Sequence, residues 1–471
     1  MMSVRRAEVD HLLEQLRPVM ERFLGVAQRS AGDFGEVEEA GLAAIAAMRP
    51  LLMSAGLRRS AAEAPQEYVC PSCRGKLARQ SERERTVVTA VGEARYVSVR
   101  WRCERCQGDH YPLEEANGLH GSGYTTKAKG VIAASAAEQP YAQASHSLAE
   151  VGVGVSAKEA DRTAQEVAQW RKAEEEAAIA RAFAEAASWA LEEVCEGPPA
   201  PALHDWRGWS SEEVAVISAD AGKVRSPDRG EEGLQWYDCR IGAIASADAK
   251  SRARKVFVGG VMSADALFDL LGAAWRLRPR HYRPRVLFIA DGAEWLWRRV
   301  PIYFSGCEEV LDIYHAGEHV ASAAVACWGE GSDEAREWRA HARDMLLAPD
   351  GPKRVRRKLL AVLCAGKAVN PTQLRKEIRY LFRHRRRMPY RSLQQRGLPV
   401  GSGVIESAVK QVNTARLRGS GMKWTRKGAD YMLCLRSAHL SGALLDTVSR
   451  RHTSLMQLAK QYQPNSQQLA A

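Results

Sequence analysis

The sequence predicts an α/β protein in which a mixed β-sheet is interrupted by an all-helical insertion and preceded by a cysteine-rich ribbon and a helical region. Two C-x2-C pairs flank a segment with hairpin-like alternation, within residues 68–112. Apolar, β-branched runs of strand length follow one another beyond residue 208. A long basic helical stretch then separates the last of these runs from a glycine-rich turn at 401–403. A chain of 471 residues is long enough for several such domains.

The charge balance points to a polyanionic partner. The chain has 68 Lys and Arg against 56 Asp and Glu, for a net charge of +12, and such an excess favours nucleic acid. No run of 18 apolar residues is found, and the N-terminus lacks an apolar signal core. We therefore expect no membrane partner and a cytoplasmic location.

Residues 1–60 are predicted to form a helical region. Leu12, Leu16, Val19 and Phe23 recur at the spacing of one helix face. Function cannot be inferred from this pattern, and a packing or dimerising helical layer is the default interpretation.

Residues 65–115 are predicted to form a zinc ribbon. Cys70, Cys73, Cys103 and Cys106 make two C-x2-C pairs, and the segment between them alternates like a two-stranded hairpin. Each pair places two thiolates on a tight turn, and two such turns complete a tetrahedral Zn²⁺ site. Four thiolates leave no open position, so the zinc is expected to be structural.

Residues 125–200 are predicted to form a helix-turn-helix and a connecting helix. The segment YAQASHSLAEV has amphipathic spacing and precedes a glycine-rich turn. Ser156 and Glu159 match a capping box, so a second helix should begin at Ala157. In a DNA-binding arrangement Lys158 and Arg162 would face the groove. An ordinary helical hairpin is the alternative and is the more common meaning of the pattern alone; the adjoining ribbon and the basic charge bring the two interpretations to near equality. A Pro/Gly/Trp-rich linker at 196–209 marks the end of this region.

Residues 208–315 are predicted to hold the first part of an RNase H-like sheet. Three antiparallel strands, a crossover helix at Ala264–Arg276 and two parallel strands produce such a mixed sheet. The predicted strands are Val214–Val224, Trp236–Ser246, Lys255–Val261, Arg285–Asp291 and Glu309–Ile313.

Three carboxylates are the candidate catalytic groups. Asp220 and Asp291 would share one sheet edge, and Glu406 would return to them in the first turns of a helix after the glycine-rich turn. Three converging carboxylates can hold two Mg²⁺ or Mn²⁺ ions for phosphodiester chemistry. Any one of these acids alone is more commonly a turn cap or a solvated side chain, so the argument depends on their combination.

A basic helical insertion is predicted at 316–398, before the Glu-bearing helices at 399–445 and a C-terminal tail at 446–471. Residues 353–391 contain fourteen Lys and Arg but a single acid, Glu377. Such a stretch is expected to grip the phosphate backbone. The residues predicted to contact DNA here and after Glu406 are Lys353, Arg354, Arg356, Arg357, Arg383, Arg385, Arg386, Arg387, Lys410, Arg416, Arg418, Lys423 and Trp424. Trp424 would stack on a frayed base, with core packing as the alternative.

The segments SADAGKV, IADGAEW, VLDIYHAGEH, GLPVGSGVIESAVK and RLRGSGMKW together resemble the ISKra-type insertion-sequence transposases of bacteria, a DDE group. The resemblance spans most of residues 68–440. It implies that Asp220, Asp291 and Glu406 form the catalytic triad. It also implies a D-x2-H element, Asp312 and His315, beside the metal site.

The expected function is therefore that of a DNA transposase, which binds terminal inverted repeats and cuts and joins double-stranded DNA at the element ends and the target. Bringing two ends together requires at least a homodimer. One alternative is a zinc-ribbon, helix-turn-helix regulator with an inactive RNase H-like domain. A second is a zinc protease, since residues 315–319 (HAGEH) match H-x-x-E-H.

Overall fold

The computed structural model describes residues 6–30, 32–62, 64–65, 67–119, 122–184, 203–204, 206–230, 233–247 and 254–464. The chain divides into two compact units, Met1–Trp170 with Leu444–Ala471, and Arg171–Ala443. The predicted linker at 196–209 and the far end of the predicted connecting helix lie mostly outside the described residues.

The first unit begins with two long helices, α1 (Arg6–Arg29) and α2 (Phe34–Ala62), which pack against each other. By length and composition alone, α2 is the one helix in the described part of the chain that could cross a membrane. The apolar-run criterion missed it because Arg49 interrupts the run. Ser54 of α2 accepts a hydrogen bond from the Arg95 amide at 2.9 Å, so the helix also contacts the sheet of this unit.

That sheet has three antiparallel strands in the order β1 (Leu77–Thr89), β2 (Gly92–Cys103) and β3 (Asp109–His110). Alternate residues of β2 are buried, as expected for a strand with one covered face. The predicted hairpin between the cysteine pairs is confirmed.

Helices complete the first unit. They are α3 (Pro112–Ala116), α4 (Thr126–Glu138), α5 (Tyr141–Glu150), α6 (Ala157–Ala184), which continues into the second unit, and the C-terminal helix Leu444–Ala459, followed by a 3₁₀ turn at Lys460–Tyr462. As predicted, α6 begins at Ala157, and the Ser156 hydroxyl accepts a hydrogen bond from the Glu159 amide at 3.1 Å.

The second unit is built on a mixed five-stranded sheet. Its strands are β4 (Val214–Gly230), β5 (Gly233–Ser246), β6 (Lys255–Gly260), β7 (Arg285–Ala290) and β8 (Glu308–Leu311). Their order is β6-β5-β4-β7-β8, with β4 to β6 antiparallel and β7 and β8 parallel to β4. Strand β4 is longer than predicted because it continues past Val224 to Gly230, still paired with β5 but with a register shift between Arg225 and Arg229.

Side chains alternate between two cores on the faces of this sheet. Ile217 and Phe288 pack with helix α7 (Ala264–Arg276), whereas Val216 and Leu287 belong to the core on the opposite face. Burying a side chain such as Phe288 contributes roughly 2–3 kcal/mol. Because faces alternate with a period of two, Asp220 and Asp291 lie on the Val216 and Leu287 face.

The remaining helices of the second unit flank the sheet. In chain order they are α8 (Glu294–Trp297), α9 (Val300–Tyr303), α10 (Ile313–Trp328), α11 (Asp333–Leu347), α12 (Gly351–Cys364), α13 (Pro371–Arg383), α14 (Tyr390–Gln395), α15 (Gly403–Ala408), α16 (Ala415–Leu417) and α17 (Arg426–Leu440). A 3₁₀ turn at Arg385–Arg387 follows α13, and a π-helical segment at Val409–Thr414 follows α15. The Leu444–Ala459 helix of the first unit is α18.

Helix α13 shows why the basic residues are presented outward. Leu374, Ile378 and Leu381 recur at i, i+4 and i+7 and are buried in the core on the α10 face. This spacing leaves Arg375 and Arg379 on the exposed side. The resulting protein has a mixed sheet and many helices, as the sequence predicted.

Candidate functional site

The two cysteine turns of the first unit have the same backbone geometry. The amides of Cys70 and Cys103 donate to the carbonyls of Gly75 and Gly108 at 2.8 and 2.9 Å. The fourth residue after each turn start, Arg74 and Gln107, has a positive φ of 61° and 60°. Each turn therefore points two sulfur atoms to the same side.

The four cysteine sulfurs converge. All the Sγ atoms of Cys70, Cys73, Cys103 and Cys106 lie within 4.8 Å of one another. The Cys106 amide donates to the Cys103 sulfur at 3.4 Å and is the main reason that the pKa of Cys103 is lowered to about 6. Four thiols at this spacing fit a tetrahedral Zn²⁺ site, and stabilised thiolate is the form that binds the metal.

Three aspartates lie at one level of the five-stranded sheet. Strand β4 pairs with β7 through Ile217 and Phe288, and Asp220 and Asp291 each lie three residues further on. Strand β7 pairs with β8 through Ala290 and Leu311, and Asp291 and Asp312 each come next. The three aspartates therefore lie side by side just beyond the last pairs of β4 with β7 and of β7 with β8. Asp220 is not at the end of its strand as predicted, because β4 continues to Gly230 paired with β5.

The Asp220 carboxyl is surrounded by the other predicted groups. Its pKa is raised from 3.8 to about 6, mainly by burial. The charges of Asp291 and Glu406 act in the same direction, whereas the Ala221 amide and His315 act against them. Asp220 therefore lies close enough to Asp291, His315 and Glu406 for their charges to act on its proton.

Asp291 is held at the start of a turn. Its Oδ1 accepts a hydrogen bond from the Ala293 amide at 2.9 Å, and its carbonyl accepts one from the indole N–H of Trp297 at 2.7 Å. These contacts orient the carboxylate and leave its second oxygen available to a ligand.

Glu406 approaches the sheet because Gly222 permits a close contact. It lies in α15 with an exposed side chain, and the π-helical segment that follows crosses β4. A Cβ at Gly222 would lie 2.6 Å from the Asn413 amide nitrogen. Buried Asn413 also lies 3.4 Å from the Lys223 carbonyl. The glycine of SADAGKV thus positions the helix that carries the glutamate.

The cysteines and the carboxylates differ in how tightly they converge. Within the described residues, the four cysteines are the one set of three or more His, Cys, Asp or Glu whose ligand atoms all lie within 4.8 Å of one another. The charges of Asp291 and Glu406 act on Asp220, but the three carboxylates do not form such a compact group. Hard oxygen donors suit Mg²⁺ or Mn²⁺, and two bridging ions can be held by a wider set of carboxylates than one ion.

Asp312 differs from its expected role beside the metals. It is 1% exposed, and its Oδ1 caps α10 by accepting hydrogen bonds from the Tyr314 and His315 amides at 2.6 and 3.1 Å. Its Oδ2 accepts one from the Ser402 amide. With both oxygens engaged by backbone, Asp312 is a positioning residue. His315 remains half-buried at the edge, with Nδ1 3.4 Å from Glu318.

The H-x-x-E-H geometry does not favour a zinc protease. The His319 Nδ1 bonds to Glu377 at 2.6 Å, and the His319 ring stacks on Tyr380. In the part of the chain that the structure describes, His315 and His319 are not joined by a third residue in a metal-binding group.

Most predicted DNA-contacting residues of the insertion are exposed. The exposed ones are Lys353, Arg354, Arg357, Arg383, Arg385 and Arg386. Arg356 and Arg387 are half-buried, and Arg387 bonds to Glu309 at 2.6 Å. The helical segment at 316–398 therefore presents cations to solvent.

Two residues predicted to contact DNA beyond Glu406 are buried instead. Arg416 and Trp424 are 2% and 9% exposed, and the guanidinium lies 5.1 Å from the indole centroid. They pack on each other, which removes both from the expected DNA-facing surface. Lys410, Arg418 and Lys423 are exposed as expected. The exposed indole near Arg418 is that of Trp236, 5.9 Å from the guanidinium.

Lys158 and Arg162, which were predicted to face a DNA groove, are exposed on α6. Arg162 forms an ion pair with Glu159 at 2.9 Å. This surface is free to meet another molecule on the helix that the motif would use for recognition.

No protein-family model matches this chain, and no curated protein matches it. The functional assignment therefore depends on the residues and geometry described above.

Several residues at the site were not identified from sequence. Tyr380, His319 and Glu377 meet beside Asp291 although they come from α13 and α10. Burial and then the charge of Asp291 raise the pKa of Tyr380, which places its hydroxyl near that carboxylate. Two of them had a sequence signal: Glu377 is the single acid among fourteen bases, and His319 is the last residue of the HAGEH segment.

Proposed function

We propose that this protein is a DNA transposase of a bacterial insertion sequence, which cleaves and rejoins DNA through Asp220, Asp291 and Glu406. The observation that carries the proposal is the placement of Asp220 and Asp291 on neighbouring strands, each three residues beyond the pair of Ile217 and Phe288. The Glu406 helix α15 packs on β4, and His315 of α10 lies near enough for its charge to act on Asp220. These groups come from two neighbouring strands and two helices, so chance proximity along the chain does not explain them.

The strand order supports an RNase H-like domain with a helical insertion. Three antiparallel strands followed by two parallel ones, in the order β6-β5-β4-β7-β8, match that sheet. Helices α10 to α14 lie in sequence between β8 and the glutamate-bearing α15. The Asp312 bond to the Ser402 amide supports this reading, because it joins the two ends of the inserted segment.

Each residue of the proposed site has its own role in the reaction. Two Mg²⁺ or Mn²⁺ ions bound by the three carboxylates would activate the attacking oxygen and stabilise the leaving 3′-oxygen. Asp220 and Asp291 would hold them from the sheet edge, and Glu406 would complete the set from α15. Asp312 positions the turn before Glu406, and His315 offers a donor beside Asp220.

The basic outer side of the insertion and the exposed cations after Glu406 would hold the DNA backbone, which makes binding salt-dependent. We assign the zinc ribbon and the helix-turn-helix to recognition of the element ends. The reaction requires two ends in one complex, so a homodimer or larger assembly is part of the proposal. DNA cleavage and joining would take place in the bacterial cytoplasm, on nucleoid DNA.

The test compares wild type with Asp291→Asn on a supercoiled plasmid carrying the DNA that flanks this coding sequence in its genome. Wild type should nick it with Mg²⁺ or Mn²⁺. The variant should lose at least about 1,000-fold in rate, since it removes a charged metal ligand, while its affinity for the same DNA in Ca²⁺ stays within about twofold.

A second readout does not depend on turnover. Mn²⁺ should raise the thermal unfolding midpoint of wild type but not of Asp291→Asn, because ligand binding stabilises the folded state. Binding without nicking by wild type would instead support the regulator with an inactive domain. Persistent nicking by the variant would contradict the triad.

A further inference from the structure

The Tyr380 side chain reaches from α13 to the turn that follows Asp291. Its hydroxyl and ring edge fill the space beside Gly292, where any added Cβ would overlap them. Glycine at 292 is therefore required for the tyrosine to lie here. This contact joins the basic insertion to the strand end that bears a candidate catalytic carboxylate.

The tyrosine ring is held by a chain of contacts from two helices. Its centroid lies 3.4 Å from that of His319, with 19° between the planes, and 4.7 Å from that of His384. The His319 Nδ1 bonds to Glu377 at 2.6 Å, and Gln373 donates to the other oxygen of Glu377 at 2.6 Å. Glu377 is 6% exposed, so its carboxylate contacts His319 and Gln373 and not solvent.

The hydroxyl has no hydrogen-bond partner among the residues that the structure describes. The charges of Asp291 and Asp312 act on it, so the site around it is anionic. A tyrosine hydroxyl is a donor at neutral pH. The Tyr380 hydroxyl is held in place beside Asp291, a candidate metal ligand, without a hydrogen-bond acceptor of its own. This arrangement indicates that the acceptor is an atom of the substrate.

We infer that the Tyr380 hydroxyl donates a hydrogen bond to a non-bridging oxygen of the DNA phosphate that is cleaved, and that His319 and Glu377 position the tyrosine. This inference rests on the proposed function and adds a substrate contact to it. Tyr380 transfers no proton in the step; it neutralises part of the charge on the phosphate oxygen. The insertion thus contributes to the active site as well as to gripping DNA.

Tyr380→Phe removes the hydroxyl and keeps the ring. Its single-turnover nicking rate on the plasmid described above should fall about 10- to 100-fold, as expected for one hydrogen bond to a charged group. Its DNA affinity in Ca²⁺ and its unfolding midpoint should match wild type. Tyr431→Phe is the control, since Tyr431 is half-buried on α17 in the same unit and contacts Lys427; its rate should equal that of wild type.

A double variant tests whether His319 acts by positioning Tyr380. His319→Ala should lower the nicking rate, and the double variant with Tyr380→Phe should be no slower than the slower single variant, because both act through one hydroxyl. Additive losses would contradict that role. Glu377→Gln retains a hydrogen-bond acceptor for His319 and should lose less activity than Glu377→Ala.

The outcomes separate this inference from the proposed function. If Asp291→Asn abolishes nicking while Tyr380→Phe nicks like wild type, the phosphate contact is wrong and the transposase proposal stands. If wild type fails to nick with either metal, both fall. A Tyr380→Phe variant that is slow only because it unfolds earlier would also overturn the contact, since that result assigns the hydroxyl to stability.

Discussion

The buried carboxylate of Asp312 accepts a hydrogen bond from the amide of Ser402, ninety residues later in the chain. The adjacent Ile313 amide donates to the Val400 carbonyl at 3.1 Å. These bonds join the end of β8 to the turn before Glu406. The position of the glutamate therefore depends on an acid that does not itself face the proposed metals.

Replacing Asp312 with Ala should lower the free energy of unfolding by about 2–4 kcal/mol, because it removes a helix cap and leaves the buried Ser402 amide without an acceptor. Nicking should be lost along with stability. Asp312→Ser keeps a capping oxygen but is too short to reach Ser402, so it should recover part of the stability and little of the activity. Chemical denaturation and the plasmid assay measure the two effects.

Ser332 provides a matched control for the cap. Its hydroxyl caps α11 by accepting from the Ala335 amide at 3.2 Å and makes no bond to the Glu406 turn. Ser332→Ala should cost about 1 kcal/mol and leave nicking unchanged. Loss of activity in this control would mean that any weakened cap in the insertion disturbs the site.

Gly222→Ala should displace the helix that carries Glu406. The new methyl group would lie 2.6 Å from the Asn413 amide nitrogen and 3.1 Å from the Cys239 sulfur. Such overpacking costs typically about 1–3 kcal/mol, and the nicking rate should fall with it. The double variant with Asn413→Ala should recover part of both. Gly56→Ala, where nothing lies within 4 Å of the added carbon, should not be destabilising.

Mutation of the ribbon should remove its metal. Wild type should carry about one zinc ion per chain, and Cys103→Ala should carry almost none, since structural zinc requires all four ligands. Cys364→Ala is the control because Cys364 is exposed on α12. Elemental analysis of purified protein measures the metal. Equal zinc in wild type and Cys103→Ala would contradict the site.

His384 should make stability depend on pH. Burial, followed by the charges of Arg387, Arg383 and His319, lowers its pKa from 6.5 to about 4. Between these values the unfolded chain binds the proton and the folded protein does not. Its contribution to stability is therefore complete above about pH 6.5 and is lost as the pH falls toward 4, by at most about 1.4 kcal/mol per pH unit.

His384→Phe tests this dependence. The His384 Nε2 is buried with no partner among the described residues, so an aromatic ring can replace the imidazole. The variant should lose the His384 share of the pH slope in denaturation between pH 4 and 6.5. His341→Gln, at an exposed position on α11, should keep the full slope.

Much of this protein could be predicted from local patterns. The spacing of the four cysteines, the capping box at Ser156 and the helix Ala264–Arg276 depend on neighbouring residues, and the structure agrees with each. Asp291 directly follows β7, as predicted from an apolar run ending in an acid, whereas Asp220 lies within β4 and not at its end.

Contacts between distant segments could not be read in the same way. Arg416 was expected on the DNA-facing surface, and Trp424 either there or in the core; both are buried and contact each other, and no periodicity indicates such a pairing. Asp312 resembled a metal-site residue, but one of its oxygens caps α10 and the other accepts from the Ser402 amide, ninety residues away. Tyr380 has no sequence signal because its role depends on Gly292.

The sequence by itself determined the residue chemistry, namely four thiols in two C-x2-C pairs, three acids in or beside regular elements, and a basic helical stretch at 353–391. Local patterns suffice for these features because helix and strand periodicity act over a few residues. Only the tertiary structure decided which side chains meet. Asn413 over Gly222, Ser402 on Asp312 and Tyr380 against Gly292 are close contacts between segments far apart in the chain, and packing of the whole unit selects them.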